Sequence, residues 1–270
     1  MIEVGPVRHG FLTVNGLRIH RLEWGRGERP VVCLHGVTGH AWMWLEVARE
    51  LEAVGPVVAL DLPGHGDSQW SASGSYRTDD HIADLGGVLD ALGPGPVDLA
   101  GSSWGGLVAL GYAARNPGRV RRLAIVDVEP SFEQGETDLY PRPRSFADHR
   151  EAAAWEREAN PHAPDSMIEV MAAMGTRPGE DGRLHRKHDP YFFERWPFRS
   201  DDRWEELRSL KLPVLVVHAE ASFVRGDVAE RMAKETGDGR VVHVKDSGHL
   251  VPVEQPAVLA RTLLEFFGEG

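Results

Sequence analysis

The stretch Pro96-Val97-Asp98-Leu99-Ala100-Gly101-Ser102-Ser103-Trp104-Gly105-Gly106-Leu107-Val108-Ala109-Leu110 decides how this chain folds. Its first five residues read as a short buried strand, and the run from Gly106 to Arg115 reads as a helix. Between them lies Gly101-Ser102-Ser103-Trp104-Gly105, a Gly-x-Ser-x-Gly turn from strand to helix. A serine at so sharp a turn has its hydroxyl pushed out over the end of a sheet. Glycine two positions to either side removes the Cβ atoms that would clash. The helix behind it aims unsatisfied N–H groups at any anion forming beside the hydroxyl. Five residues alone are a weak signal. Their weight depends on whether a base, an acid and a second N–H donor fall at the ends of neighbouring strands.

Working outward, short apolar runs alternate with helical stretches. Val31 to Leu34, Val57 to Leu60, Val97 to Ala100, Leu123 to Val126, Val214 to Val217 and Val241 to Val244 read as strands. Helices are expected over Trp42 to Ala53, Asp79 to Leu92, Leu107 to Ala114, Asp227 to Thr236 and Pro256 to Phe267. Near-continuous Val/Ile/Leu strands separated by helices predict a mostly parallel sheet covered on both faces. Phe11 to Val14 and Arg18 to Leu22 flank Asn15-Gly16, a hairpin signal that adds an antiparallel edge. The pattern breaks between Pro130 and Asp202, which is too long for a loop and predicts a helical insertion, with helices near Phe146 to Glu158 and Pro164 to Met174. Its large apolar residues, among them Trp155, Met167, Met171 and Phe192, argue against disorder. The expected organisation is a core of residues 1–129 and 203–270 with a cap over 130–202.

With 270 residues, 41% hydrophobic and 26% charged, the chain suits one large α/β domain. The formal net charge of −11 and the lack of a basic, aromatic-interleaved block argue against nucleic acid as a partner. A single cysteine, Cys33, excludes an intrachain disulfide and a CxxC metal site and fits a reducing, cytoplasmic setting. Inside Val31-Val32-Cys33-Leu34 it reads as a small buried hydrophobe. Neither a signal peptide nor a membrane span is indicated. No metal or cofactor is expected.

Three further pieces fall around the serine. Ser247-Gly248-His249 follows the last strand, where an imidazole reaches across the sheet edge to take the Ser103 proton. His35-Gly36-Val37-Thr38-Gly39 follows the Val31 to Leu34 strand and sets the Val37 N–H opposite that of Trp104, a two-donor hole for an oxyanion. Asp61-Leu62-Pro63-Gly64-His65-Gly66-Asp67-Ser68 is a tight turn in which Asp61, His65 and Asp67 are expected to hold shape, not to do chemistry. Trp42, Trp44 and Trp104 lie on or beside these loops and suggest an apolar pocket. The candidate substrate-binding residues are His35, Gly36, Trp42, Trp104 and Leu250, with His35 also read as a brace for its loop.

Taken together, the His35-Gly36 loop, the Asp61 to Ser68 turn, the Gly101 to Gly105 elbow and the Ser247 to His249 tripeptide resemble the α/β-hydrolase fold superfamily. The resemblance spans nearly the whole chain except the insertion, which aligns with that family's variable cap. It implies an eight-stranded, mostly parallel sheet with helices on both faces and acyl transfer through Ser103. A serine hydrolase of a carboxylic ester or lactone of a small, largely apolar molecule is expected. The same constellation also serves C–C bond hydrolases and cofactor-free lyases, and the fold occurs in non-catalytic ligand receptors.

The acid departs from the common pattern. Most members of the superfamily carry Asp in the turn after the Val214 to Val217 strand, where this chain reads His218-Ala219-Glu220-Ala221-Ser222-Phe223-Val224. Asp127, which ends the preceding strand, is the favoured candidate, and a subgroup of small esterases resembles this chain in placing its acid there. Glu220 is the alternative.

Overall fold

The structure is a computed structural model that describes residues 6–131 and 142–269; residues 132–141 of the expected insertion lie outside the described residues. The strands are β1 (Arg8–Val14), β2 (Leu17–Trp24), β3 (Val31–Leu34), β4 (Val57–Leu60), β5 (Val97–Ser102), β6 (Val120–Val126), β7 (Ser145–Phe146), β8 (Thr176–Pro178), β9 (Leu184–Arg186), β10 (Val214–Ala219) and β11 (Gly239–Val244). The helices are α1 (Leu45–Leu51), α2 (Thr78–Leu92), α3 (Trp104–Arg115), α4 (His149–Ala159), α5 (Asp165–Met174), α6 (Trp204–Ser209), α7 (Gly226–Glu235), α8 (Val251–Glu254) and α9 (Pro256–Gly268).

Eight strands form one sheet in the order β1-β2-β4-β3-β5-β6-β10-β11. The β1–β2 and β2–β4 pairs are antiparallel, and every pair from β4 to β11 is parallel. This is the α/β-hydrolase architecture, with the hairpin at one edge. Period-two alternation divides the sheet's side chains between two apolar layers. Val32, Leu34, Leu99, Leu123 and Ile125 pack on one face with α2 and α3, while Val31, Cys33, Ala100, Ala124 and Val126 pack on the other with α1 and α9. Each fully buried aliphatic side chain contributes about 1.5–3 kcal/mol. Cys33 is fully buried, and burial pushes its thiol up, so it behaves as core.

The excursion after β6 leaves and returns at one neck. Ser131 bridges antiparallel to Asp202, and the Arg203 N–H donates to the Pro130 carbonyl at 2.9 Å. Within it α4 and α5 pack together, and α5 buries Met167, Ile168, Val170 and Met171 into the same layer as Trp42 and Trp44. A three-stranded sheet, β7-β9-β8, completes the described part. Its strands are two or three residues long, too short to leave an alternation in the sequence. Among the described residues, no helix is long and apolar enough to cross a membrane.

Candidate active site

Parallel strands all end on the same edge, so the loops after β3, β5, β6, β10 and β11 converge there. The turn after β5 carries Ser103 at φ 52° and ψ −128°, a conformation L side chains rarely adopt. Its backbone is held by an N–H bond to the Val126 carbonyl (2.8 Å) and by the Gly106 N–H on its own carbonyl (2.8 Å). The flanking glycines are obligatory. A Cβ on Gly101 would stand 2.3 Å from the Gly105 carbonyl oxygen, and one on Gly105 would stand 2.5 Å from that of His35. Gly36 is equally close-packed, since a Cβ there would lie 2.8 Å from the Ser103 Cβ.

His249 Nε2 lies 2.9 Å from the Ser103 hydroxyl oxygen, and its Nδ1 lies 2.7 Å from Asp127 Oδ2. Asp127 itself sits at φ 51°. Its second oxygen accepts the Ala219 N–H (2.8 Å), and Oδ2 also accepts the Ser222 hydroxyl (2.5 Å). With a carboxylate on Nδ1, the imidazole carries its proton there and offers the Nε2 lone pair to Ser103. Glu220 is exposed, and its backbone N–H bonds the Val244 carbonyl. The structure therefore brings Ser103, His249 and Asp127 together. Ser222, which stands near the usual acid position, becomes a donor to the relocated carboxylate. The only sequence trace of that role was a serine where an acid was awaited.

Two loops hold the partners in register. The Ala221 N–H donates to the Ser247 carbonyl (2.9 Å), and the Gly248 N–H donates to the Glu254 carboxylate. Buried Glu129, two residues beyond Asp127, accepts the Arg225 backbone N–H (2.9 Å) and its guanidinium (3.0 Å), which ties down the far end of the Ser222 loop.

The loop after β3 lies against the serine. Trp104 opens α3, so its N–H has no partner within the helix and faces the turn. His35 Nδ1 donates to the Gly36 carbonyl (2.6 Å), and its Nε2 accepts the Leu62 N–H (2.9 Å). With both nitrogens engaged and burial pushing its pKa down, this ring stays neutral and braces the loop. His65 does the same one layer behind, accepting the Thr38 N–H at 3.0 Å. Burial raises the Asp61 carboxyl, but the His20 hydrogen bond and nearby histidines outweigh it and hold it at about 2. Asp61 accepts from Ala41, His20 and the Asp67 N–H.

The aromatic rings lie deeper than a pocket lining requires. Trp104 is buried against His81, Phe192 and Phe198, with Nε1 donating to Thr78 (2.9 Å). Trp42 and Trp44 are buried in the opposite layer, and Leu250 is half-buried beside His249. The tryptophans were the grounds for expecting an apolar pocket, and their rings pack into the core. Among the described residues, one group brings metal-type ligand atoms within 4.8 Å of one another: His20, Asp61 and Asp67. Those atoms already serve the turn, and the Lys187 ammonium sits on Asp67 at 2.8 Å.

Comparison with known proteins agrees with this fold. The sequence profile of the alpha/beta hydrolase fold family matches residues 29–256, so the chain belongs to that family and is a hydrolase of that fold. It is similar to the esterase Rv0045c of Mycobacterium tuberculosis, 30% identical over 89% of this chain and 83% of that protein. It is also similar to the 2-hydroxy-6-oxo-2,4-heptadienoate hydrolase of Pseudomonas putida, 29% identical over 95% of each. Among solved structures, E-2-(acetamidomethylene)succinate hydrolase superposes with a TM-score of 0.89 at 24% identity, covering 98% of this chain and all of that one.

Proposed function

We propose that the chain hydrolyses a carboxylic ester or lactone through an acyl-enzyme on Ser103, with residues 130–202 acting as a cap over the site. The observation that carries this reading is the unbroken hydrogen-bond line from Ser103 through His249 to Asp127. Ser103 Oγ attacks the carbonyl carbon as its proton passes to His249 Nε2. The oxyanion is held by the Val37 and Trp104 N–H groups, and Asp127 stabilises the imidazolium. Collapse returns the proton to the departing alkoxide. Water then repeats the sequence and frees the acid. The esterase relative supports this chemistry.

The test is incubation with p-nitrophenyl acetate and a fluorophosphonate probe. Turnover and covalent labelling of Ser103, read by peptide mass spectrometry, are expected. An unlabelled Ser103 with no turnover would overturn the acyl-enzyme reading and leave a receptor or lyase. A second reading, hydrolysis of a C–C bond in a diketone, draws support from the Pseudomonas relative and is separated by assaying a vinylogous 1,5-diketone acid alongside the ester.

A further inference from the structure

Among the described residues two large apolar side chains stand exposed, Phe11 at 45% and Phe223 at 63%. Phe11 lies on the edge hairpin under the Arg18 guanidinium, 4.2 Å from its ring centre. Phe223 lies against the relay. Its ring centre is 4.4 Å from that of His249, and the two planes are inclined at 39°. That spacing is ring-to-ring contact, nearer to stacked than to edge-on.

The loop that carries Phe223 is held on both sides of it. Ser222 donates its hydroxyl to Asp127 Oδ2 and accepts the Val224 N–H (3.1 Å), and the Val224 carbonyl accepts from His218 Nε2 (3.0 Å). The Ala221 N–H donates to the Ser247 carbonyl (2.9 Å), two residues before His249. One short segment therefore touches the acid through Ser222 and the base through Phe223. The bonds from His249 to Asp127 (2.7 Å) and Ser103 (2.9 Å) are made by ring nitrogens, whose hydrogen and lone pair lie in the imidazole plane. They fix the edges of the ring and leave its faces to packing, and Phe223 covers one face.

Most of the Phe223 side chain stays in water, so burial is not what this position gains. Its ring offers the negative face of a π system, which attracts a cation far more than a neutral ring. When Ser103 attacks a carbonyl, its proton passes to His249 Nε2 and the imidazole becomes that cation. Asp127 then stands at one edge and Phe223 on one face. The ring contact strengthens between ground state and transition state, and an interaction of that kind lowers a barrier.

We propose that Phe223 is a positioning residue for His249, its ring face steadying the imidazolium that forms in both acylation and deacylation. The proposal rests on the acyl-enzyme reading above and adds an aromatic partner to its base.

The experiment places 4-fluoro-, 3,5-difluoro- and pentafluorophenylalanine at position 223 of the full chain by nonsense suppression. Fluorine withdraws π density stepwise with little change of shape. Rates are measured on p-nitrophenyl acetate and on ethyl acetate. From phenylalanine to pentafluorophenylalanine, kcat is expected to fall stepwise by about 2- to 5-fold, equally for both esters. KM should not move, because both chemical steps pass through the imidazolium. Phe223→Leu, which keeps apolar bulk without a π face, should lose as much, and Phe223→Trp should match or exceed the wild type. A kcat independent of fluorine content overturns the proposal, and a slow Phe223→Leu beside it would mark a steric prop. A loss confined to KM, or to the aryl ester, also overturns it, because Phe223 would then contact substrate. Should Phe223→Leu not fold, the fluorine series decides alone. If the wild type turns over neither ester and Ser103 stays unlabelled, the acyl-enzyme reading fails and this role falls with it. Turnover with a flat fluorine series rejects the Phe223 role alone.

Discussion

At Asp127 one carboxylate collects three donors: the Ala219 N–H, the Ser222 hydroxyl and the His249 ring. Removing its charge leaves the imidazole without the acceptor that fixes its tautomer. Asp127→Asn is therefore expected to lower kcat for ester hydrolysis by about 10³–10⁴-fold, with the fold intact by circular dichroism. Glu220→Gln, on an exposed residue, should change kcat less than about twofold. A large loss confined to Glu220→Gln would reverse the assignment. Ser222→Ala removes one donor of three, and a fall in kcat of about tenfold, measured on the same ester, is expected. The sequence favoured Asp127 over Glu220 but did not show what fixes that choice. That choice depends on the left-handed backbone at Asp127 and on a hydroxyl 95 residues away, and neither leaves a local signal.

Among the described residues five non-glycine positions have positive φ: Asn15, Thr38, Ser103, Asp127 and Asp246. Four of them lie on the loops that meet at the candidate site, and Asn15 turns the hairpin. Such conformations cost about 1–3 kcal/mol each and persist only where neighbouring elements hold them. The elbow is the clearest case, because β3 and α3 approach until only hydrogen fits between Gly105 and the His35 carbonyl. Gly105→Ala should destabilise the protein by about 3 kcal/mol, seen as a shifted urea midpoint, and should lower fluorophosphonate labelling with it. The core strands and long helices were legible because each is a periodic run between turn residues. The short α6 and α8 and the three small strands of the insertion were not, since elements of two to six residues are set by what they pack against.

For the whole molecule, folding buries several histidines in neutral form. Burial holds His40 and His81 at about 4 and His188 at about 3. In the unfolded chain these rings titrate near 6.5, so between there and 3–4 the unfolded state binds more protons. Their contribution is fully present above about pH 6.5 and is lost as the pH falls toward the folded values, by up to about 1.4 kcal/mol per unit for each ring. Thermal melts should therefore show Tm falling from pH 7.5 to pH 5, and His81→Gln should flatten that slope in any variant that still melts cooperatively. By itself the sequence determined the α/β-hydrolase fold, the strand-to-helix turn at Ser103 and the loop positions of Val37 and His249, because glycine turns and buried apolar runs act over a few residues. Only the tertiary structure decided how Asp127 is held against His249, which way the tryptophan rings face and which glutamate Arg186 meets. Those outcomes depend on groups far apart in the chain, and only the packed sheet and insertion bring them within reach of one another.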